Sequence, residues 1–469
     1  MFDKVLIANR GEIAVRIARA CKELGVRTVA VYSTADQNSA VLRMADEAVC
    51  IGPAPSKHSY LNPAAVVEAA LQTGADAVHP GYGFLSEDPD FAEICTDNGL
   101  TFIGPPPQVL SRLGDKATAR VLMQRAGLPL LPGLAEVISD TADAVAAAER
   151  IGFPVIIKAA AGGGGRGMTV VRDPADVVQA YRETRRVALS VFGDDRVYLE
   201  RYLDRARHVE VQFLCDAHGQ AIHLGTRDCS VQRRRQKLIE EAPAPGLAED
   251  TALAMCETAA QAAAGLGFTG AGTAEFLVDD DERYYFMEVN SRIQVEHPVT
   301  EMVTGVDLVQ EQLRIAAGLP LRWRQPDIQP RGVSMECRVN AEDPGRQFAP
   351  TPAVVSRFVP PGGPFTRVDT HGFPGWRVGP DYDSLLAKVV VWGQDRDEAM
   401  QRMDRALSEF DVDGPGLATT IPFLRRVLAD PEFRKASHVT GLVDRLVADP
   451  VLTTVDDTEE GQHDQQRVR

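Results

Sequence analysis

Glu288-Val289-Asn290-Ser291-Arg292-Ile293-Gln294-Val295-Glu296-His297 carries a polar group at every second position. In an extended chain, a period of two puts Glu288, Asn290, Arg292, Gln294 and Glu296 on one face, with Val289, Ile293 and Val295 on the other. A solvated strand face would use repeated Lys, Glu or Thr. Acid, amide, guanidinium, amide and acid in succession reads as a site. The preceding segment reads as a hairpin, with Ala274–Val278 and Tyr284–Val289 flanking the acidic turn DDDER at 279–283. A register symmetric about residues 281 and 282 sets Glu275 opposite Glu288. Directly opposed like charges destabilise a sheet, and a divalent cation turns that repulsion into binding. Magnesium takes carboxylate and phosphate oxygens, so Glu275, Glu288 and Asn290 suit a metal–nucleotide site.

Outward from this hairpin, four other stretches carry chemistry. The run Gly162-Gly163-Gly164-Gly165-Arg166-Gly167 exposes backbone N–H groups and permits close approach of phosphate oxygens. It lacks the following Lys-Ser/Thr of a Walker loop. Lys158 closes the apolar strand VIIKA, where an unpaired ammonium is costly and an anionic partner is expected. Lys116 stands at a helix start, where the dipole disfavours a cation. Gln232-Arg233-Arg234-Arg235-Gln236-Lys237 is a basic cluster, either a local anion site or a solvated face, with Arg227 and Asp228 as expected internal partners. The loop HPGYGFLSE at 79–87, with Tyr82 between glycines, reads as a binding loop after a strand or as a tight turn.

The 469 residues suggest about three domains of roughly 150 residues each. Hydrophobic residues at 44% and charged residues at 25% fit an ordinary globular composition and exclude wholesale disorder. No apolar run approaches the roughly 18 residues of a membrane span, and the N-terminus lacks the long apolar core of a secretory signal. Fifty Lys and Arg against 66 Asp and Glu give a net charge of -16, which excludes nucleic acid as the main partner. Seven cysteines without a CxxC read as reduced thiols and a cytoplasmic location. Lys4–Ala8, the turn NRGE, a helix over Glu12–Leu24 and strands at Thr28–Tyr32, Ala75–His79 and Leu100–Ile103 spell a βαβ pattern. The class is α/β, starting with a doubly wound parallel sheet. Domains are expected over 1–114, 115–320 (with a segment of its own strands over about 131–203) and 331–446, the last with helices near 396–409 and 421–429. One helix is expected over Val299–Ala317, and a disordered polar tail over 447–469.

IANRGEIAVRI, HPGYGFLSE, GDK, GGGGRGM, RDCSVQRR, EEAPAPG, GTAEF and EVNSRIQVEHPVTEM, in this order over about 1–446, closely resemble biotin carboxylase of the ATP-grasp superfamily. The resemblance implies an N-terminal α/β domain, a central ATP-grasp domain with a mobile lid over about 131–203, and a mixed C-terminal domain. Carried over, Lys116, Lys158, His208 and Glu200-Arg201-Tyr202-Leu203 would hold ATP, the last four as an adenine-side hinge, with Arg235 beside the nucleotide. Gly164 and Gly165 would cover its phosphates. Glu275, Glu288 and Asn290 would hold magnesium or manganese. Lys237, Arg292, Gln294 and the Val295 backbone would bind bicarbonate, with Glu296 as the base that deprotonates it. Tyr82 and Arg338 would sit at the biotin ring.

The implied reaction is ATP-dependent carboxylation of biotin through carboxyphosphate, the first half-reaction of an acyl-CoA carboxylase such as that of fatty acid biosynthesis. Another ATP-grasp carboxylate–amine ligase is the alternative. A biotin-accepting Met-Lys is absent, so biotin is expected on a separate carrier protein, with a carboxyltransferase as further partner. Arg16, Arg19 and Glu23 share a helix face and resemble the contacts of a homodimer. Two positions depart from the family pattern: Arg235 replaces the usual His or Asn, and Ala161 replaces the first loop glycine.

Overall fold

The computed structural model describes residues 1–133, 137–160 and 167–449. Ala161, Gly164, Gly165 and the tail from residue 450 lie outside the described residues. The chain opens with β1 (Lys4–Ile7), α1 (Gly11–Glu23), β2 (Arg27–Ser33), β3 (Glu47–Gly52), α2 (Pro63–Thr73), β4 (Ala77–His79), α3 (Pro89–Asp97), β5 (Thr101–Phe102) and α4 (Pro107–Gly114). The five strands pair in parallel in the order β3-β2-β1-β4-β5. Val5, Leu6 and Ile7 are wholly buried, because a parallel strand is covered on both faces and so reads as a continuous apolar run.

α5 (Lys116–Arg125) is capped by the Asp115 carboxylate, which accepts from the Thr118 N–H. α6 (Thr141–Ile151), β6 (Val155–Ala159), β7 (Met168–Val171), α7 (Val177–Phe192) and β8 (Val197–Arg201) form a small unit. Its antiparallel sheet runs β7-β6-β8, and its own core is built on Ile157, Leu199 and Tyr181.

The site stands on a larger antiparallel sheet. β9 (Arg207–Cys215), β10 (Ala221–Arg233), β11 (Gln236–Ala242), then after α8 (Glu249–Gly265) β12 (Gly270–Val278) and β13 (Tyr284–Asn290) supply five strands. α9 (His297–Thr304) and α10 (Leu308–Ala316) follow, then β14 (Val333–Asn340) and strands at Thr366–Thr370 and Leu385–Gly393. The order is β13-β12-β9-β10-β11-β14, then 385–393, then 366–370. One eight-stranded sheet therefore runs across the polar linker at 321–332. α11 (Arg396–Glu409), α12 (Ile421–Ala429), α13 (Pro431–Arg434) and α14 (Leu442–Ala448) close the C-terminal side. The expected tail start at 447 is corrected, since α14 buries Leu442, Val443 and Leu446 and runs through Ala448.

Two further expectations are corrected. The helix expected over Val299–Ala317 is two helices, broken where Gly305 takes a left-handed φ of 72° and Asp307 caps α10 by accepting from the Gln310 N–H. The extended chain ends at Asn290, and residues 291–296 turn before α9, so the period-two face of that stretch belongs only to its first part. On α1, Arg16 is buried and committed within the chain to Glu301 at 2.9 Å and Asp307 at 2.7 Å. Glu23 accepts from Gln310 Nε2, and Arg19 is exposed. Among the described residues no helix is long and apolar enough to cross a membrane.

β12 carries Glu275 past a crowded point at Gly272. A Cβ there would lie 2.5 Å from Phe213 Cζ and 2.6 Å from Phe268 Cζ, two rings already packed edge to face. Gly272→Ala is expected to lower unfolding free energy by about 1–3 kcal/mol through overpacking. Urea unfolding would show this as a lower midpoint at unchanged slope; a wild-type midpoint would contradict it.

Candidate active site

Cross-strand register sets Glu275 opposite Glu288 on one side and opposite Glu210 on the other. Three carboxylates thus stand in a row across β9, β12 and β13. The cations that make this tolerable come from β9, β10, β11 and the start of α5. Lys237 Nζ lies 2.7 Å from Glu210 Oε2 and 3.5 Å from Glu275 Oε1. His208 Nε2 lies 3.1 Å from Glu275 Oε2, and Lys116 Nζ lies 3.1 Å from Glu288 Oε2. The wholly buried Arg227 spans Glu210 Oε1 at 2.5 Å, Gln212, Thr273 and Thr300. Asn290 Nδ2 and Gln294 Nε2 donate to Glu275 Oε1 at 2.8 and 2.9 Å.

The turn at 291–296 brings Glu296 to the other side of Lys237, where the two form an ion pair. Arg338 Nη2 donates to Glu296 Oε2 at 2.9 Å, and Arg338 Nε donates to Glu240 Oε1 at 2.6 Å. Gln294 Oε1 accepts from Lys237 at 3.0 Å. Burial pushes the Glu296 carboxyl up, but Lys237, Arg338 and Arg227 outweigh it and hold it well below the usual carboxylate range. Burial opposes the charge on Lys237, yet the surrounding acids raise it well above an ordinary lysine. Arg292 Nε donates to Glu87 Oε2 at 2.9 Å and its Nη2 to Asn290 Oδ1 at 2.8 Å.

Tyr82 is tied to this group through two buried charges. Its hydroxyl donates to Glu12 Oε1 at 2.5 Å, Glu12 pairs with Lys388 Nζ at 2.9 Å, and Lys388 donates to the Val295 carbonyl at 2.7 Å. Asn9, just after β1, donates to the Pro80 and Tyr82 carbonyls, both at 2.7 Å. A cavity of about 300 Å³ opens beside this loop, lined by Arg10, Glu12, Tyr82, His371, Tyr382 and Asp383.

On the small β7-β6-β8 unit, Lys158 and Arg120 both pair with the buried carboxylate of Glu200. The Arg201 N–H donates to the Pro132 carbonyl and the Tyr202 N–H to the Pro154 carbonyl, so residues 200–203 are anchored before Leu203. The basic cluster is divided rather than gathered. Arg234 and Arg235, with φ of 46° and 68°, form the two-residue turn between β10 and β11. Arg233 stacks on Phe348 at 4.5 Å. Among the side chains of this cluster, Lys237 reaches the acids. The expectation that Arg227 and Asp228 serve the cluster is corrected: Arg227 belongs to Glu210, and Asp228 binds Arg207 at 2.7 Å and His438 at 3.3 Å.

Sequence reasoning missed Glu210, Glu87, Glu240, Glu12 and Lys388. The Lys388 signal was present, since LLAKVVVWG is an apolar strand interrupted by one lysine, as VIIKA is. The glutamates gave no such signal: Glu12 is an acid in the first turn of a helix, and the others sit in a strand or loop among ordinary polar positions.

Opposed acids with lysines on one sheet and a small lid-like unit above them define an ATP-grasp ligase. Residues 1–110 match the biotin carboxylase N-terminal domain, 115–324 the carbamoyl-phosphate synthase L chain ATP binding domain and 336–445 the biotin carboxylase C-terminal domain. The chain is 51% identical over 434 residues to Biotin carboxylase 1 of Bacillus subtilis, covering 92% of this chain and 96% of that one. It is 53% identical over 436 residues to the biotin carboxylase of Haemophilus influenzae, covering 93% and 96%. Its fold matches, with TM-score 0.91 and 45% identity over 95% of this chain and 98% of the other, the biotin carboxylase domain dimer of Hydrogenobacter thermophilus 2-oxoglutarate carboxylase, solved with MgADP, ADP and bicarbonate. The chain belongs to the biotin carboxylase family, ligases that carboxylate biotin with ATP and bicarbonate.

His79 ends β4 fully buried, and its Nδ1 accepts the Gly81 N–H at 3.1 Å, fixing the start of the Tyr82 loop. Burial and the charge of Arg16 push its pKa down from 6.5 to about 3. A histidine depressed in the folded state contributes full stability above its unfolded pKa and loses it as pH falls below that value. From about pH 7 to about pH 5, wild-type unfolding free energy is expected to fall by about 2 kcal/mol relative to His79→Gln. Urea titrations at both pH values check this; a constant difference would contradict it.

Proposed function

We propose that the chain carboxylates a biotin carried on a separate carrier protein, consuming ATP and bicarbonate, as the first half-reaction of an acyl-CoA carboxylase. A carboxyltransferase would then move the carboxyl group to its acceptor. The observation that carries this reading is the Glu296 carboxylate clamped between Lys237 and Arg338, directly beside the acid row. A carboxylate–amine ligase would need the acid row but has no use for that clamp.

Glu275, Glu288 and Asn290 suit a hard divalent cation. They offer two carboxylates and a carboxamide oxygen on adjacent strands, and opposed acids without a cation cost the sheet stability. Magnesium or manganese held there would neutralise charge developing on the transferred phosphoryl group. Lys116, Lys158 and His208 would take the nucleotide phosphates, Glu200–Leu203 the adenine side and Gly164 and Gly165 the cover. Arg235 would lie beside the nucleotide as a permanent charge. Lys237, Arg292, Gln294 and the Val295 N–H would hold bicarbonate.

Glu296 would take the bicarbonate proton. A carboxylate held so low is a weak base until Lys237 and Arg338 turn toward an incoming anion; their release of Glu296 restores its basicity at the moment it is needed. The freed oxygen attacks the γ-phosphorus, the bond to ADP breaks, and carboxyphosphate forms. Its cleavage gives CO2 and phosphate. The ureido N–H proton passes to phosphate, or to Glu296 once Glu296 has given its own proton to phosphate, and the nitrogen adds to CO2. Arg338 would stabilise the negative ureido oxygen, with Tyr82 against the ring, while the lid excludes water from the labile intermediate. The chain would act in the cytoplasm as a homodimer, with Arg19 and Glu23 on the contact face.

ADP release from Mg-ATP is expected to rise only when bicarbonate and free biotin are both present. Glu296→Ala is expected to lose about 100-fold or more of that rate, the share of a positioned general base. ADP release indifferent to biotin in the wild type would contradict the reading.

A further inference from the structure

Beside Arg338 two glutamates face each other, and among the described residues no cation forms an ion pair with both of them. Glu240 on β11 and Glu336 on β14 are direct cross-strand partners, and both are wholly buried. Directly opposed residues of an antiparallel pair have Cβ atoms about 4.5–5.5 Å apart on the same face of the sheet. Glu240 spends Oε1 on Arg338. Its Oε2 and both carboxyl oxygens of Glu336 find no hydrogen-bond partner among the described residues. Two neighbouring buried carboxylates cannot both stay ionised with three unsatisfied oxygens.

The surrounding charges do not resolve this. Arg338, two residues along β14 from Glu336, divides its guanidinium between Glu240 and Glu296. Lys388 on the next strand is occupied by Glu12 and the Val295 carbonyl, with Asp369 at 4.0 Å. Lys237 is held by Glu210 and Glu296. Glu241 turns away to Arg396, and His297 at the start of α9 is buried and held well below an ordinary histidine. Burial pushes the Cys337 and Cys229 thiols well above the ordinary thiol range.

We propose that Glu240 and Glu336 hold one proton between them at neutral pH, and that Glu240 is thereby a positioning residue that aims Arg338 at the reacting centre. The shared proton lets Glu336 donate to Glu240 Oε2, leaving Glu240 with one charge, spent on Arg338. If both acids were ionised, the added charge would neutralise Arg338 just where its positive charge is needed. The directions of the two pKa values agree: burial, opposed by Arg338, pushes Glu240 up to about 7, and burial holds Glu336 well above an ordinary carboxyl.

The role of Glu240 rests on the activity proposed above; the shared proton does not. An infrared difference spectrum of wild type minus Glu336→Gln at neutral pH is expected to show the carbonyl stretch of one protonated carboxylic acid. Carboxylate bands alone would overturn the shared proton. Glu336→Gln, which keeps the shape of a protonated acid, is expected to hold biotin-dependent ADP release within about twofold of wild type. Glu240→Gln is expected to lower it about tenfold or more through loss of a charge-assisted hydrogen bond, with the Kd for Mg-ATP by titration calorimetry unchanged. Equal losses in both variants, no loss in Glu240→Gln, or loss of Mg-ATP affinity together with turnover would overturn the positioning role. Wild-type protein with the infrared band but no biotin-dependent turnover would sink the proposed function and leave the proton standing.

Discussion

One ammonium group carries the centre of this molecule. Lys237 Nζ touches Glu210, Glu275 and Glu296, and each of these acids is almost wholly buried. Without that cation, cross-strand register would leave Glu210 and Glu275 opposed with less countercharge, which destabilises an antiparallel pair. Removing one partner of a buried charge network costs about 3–5 kcal/mol, because the remaining charges stay desolvated. The same arithmetic makes the site responsive. In the proposed reaction an anion arriving at Lys237 would compete with Glu296 for it, and a nucleotide phosphate would compete with Glu288 for Lys116.

The rest of the fold exists around that constraint. Eight antiparallel strands keep Lys237, Arg338 and Lys388 in one continuous sheet, although the last two come from beyond the polar linker. The parallel N-terminal sheet contributes at the tips of its strands: Asn9 and Glu12 follow β1, His79 ends β4 and Tyr82 follows it. Lys388 stitches the two sheets together through Glu12 and the Val295 carbonyl. The small unit with Glu200 and Lys158 packs a core of its own.

Much of this was legible in the sequence because the local rules were simple. Opposed Glu275 and Glu288 followed from a hairpin with a short acidic turn, and the register bore that out. Asp115 announced its helix. The turn at 291–296 reads as strand in the sequence because its alternation continues past Asn290, where backbone direction changes but side-chain chemistry does not. Arg227 and Asp228 were misassigned because a neighbour in sequence was taken for a neighbour in space. A 13-residue β10 places them on the far side of bulges from the cluster at 232–237. Glu240 and Glu336 become informative only when β14 lies beside β11, a pairing set by residues nearly a hundred positions apart.

In the proposed reaction the Lys237-bound carboxylate makes bicarbonate, rather than water, the acceptor of the γ-phosphoryl group. Turnover of Mg-ATP with free biotin and oxygen-18 bicarbonate in ordinary water tests it directly, with the product phosphate analysed by mass spectrometry. Each phosphate released is expected to carry one bicarbonate oxygen, passed on when carboxyphosphate breaks. Phosphate whose new oxygen comes from water would contradict it.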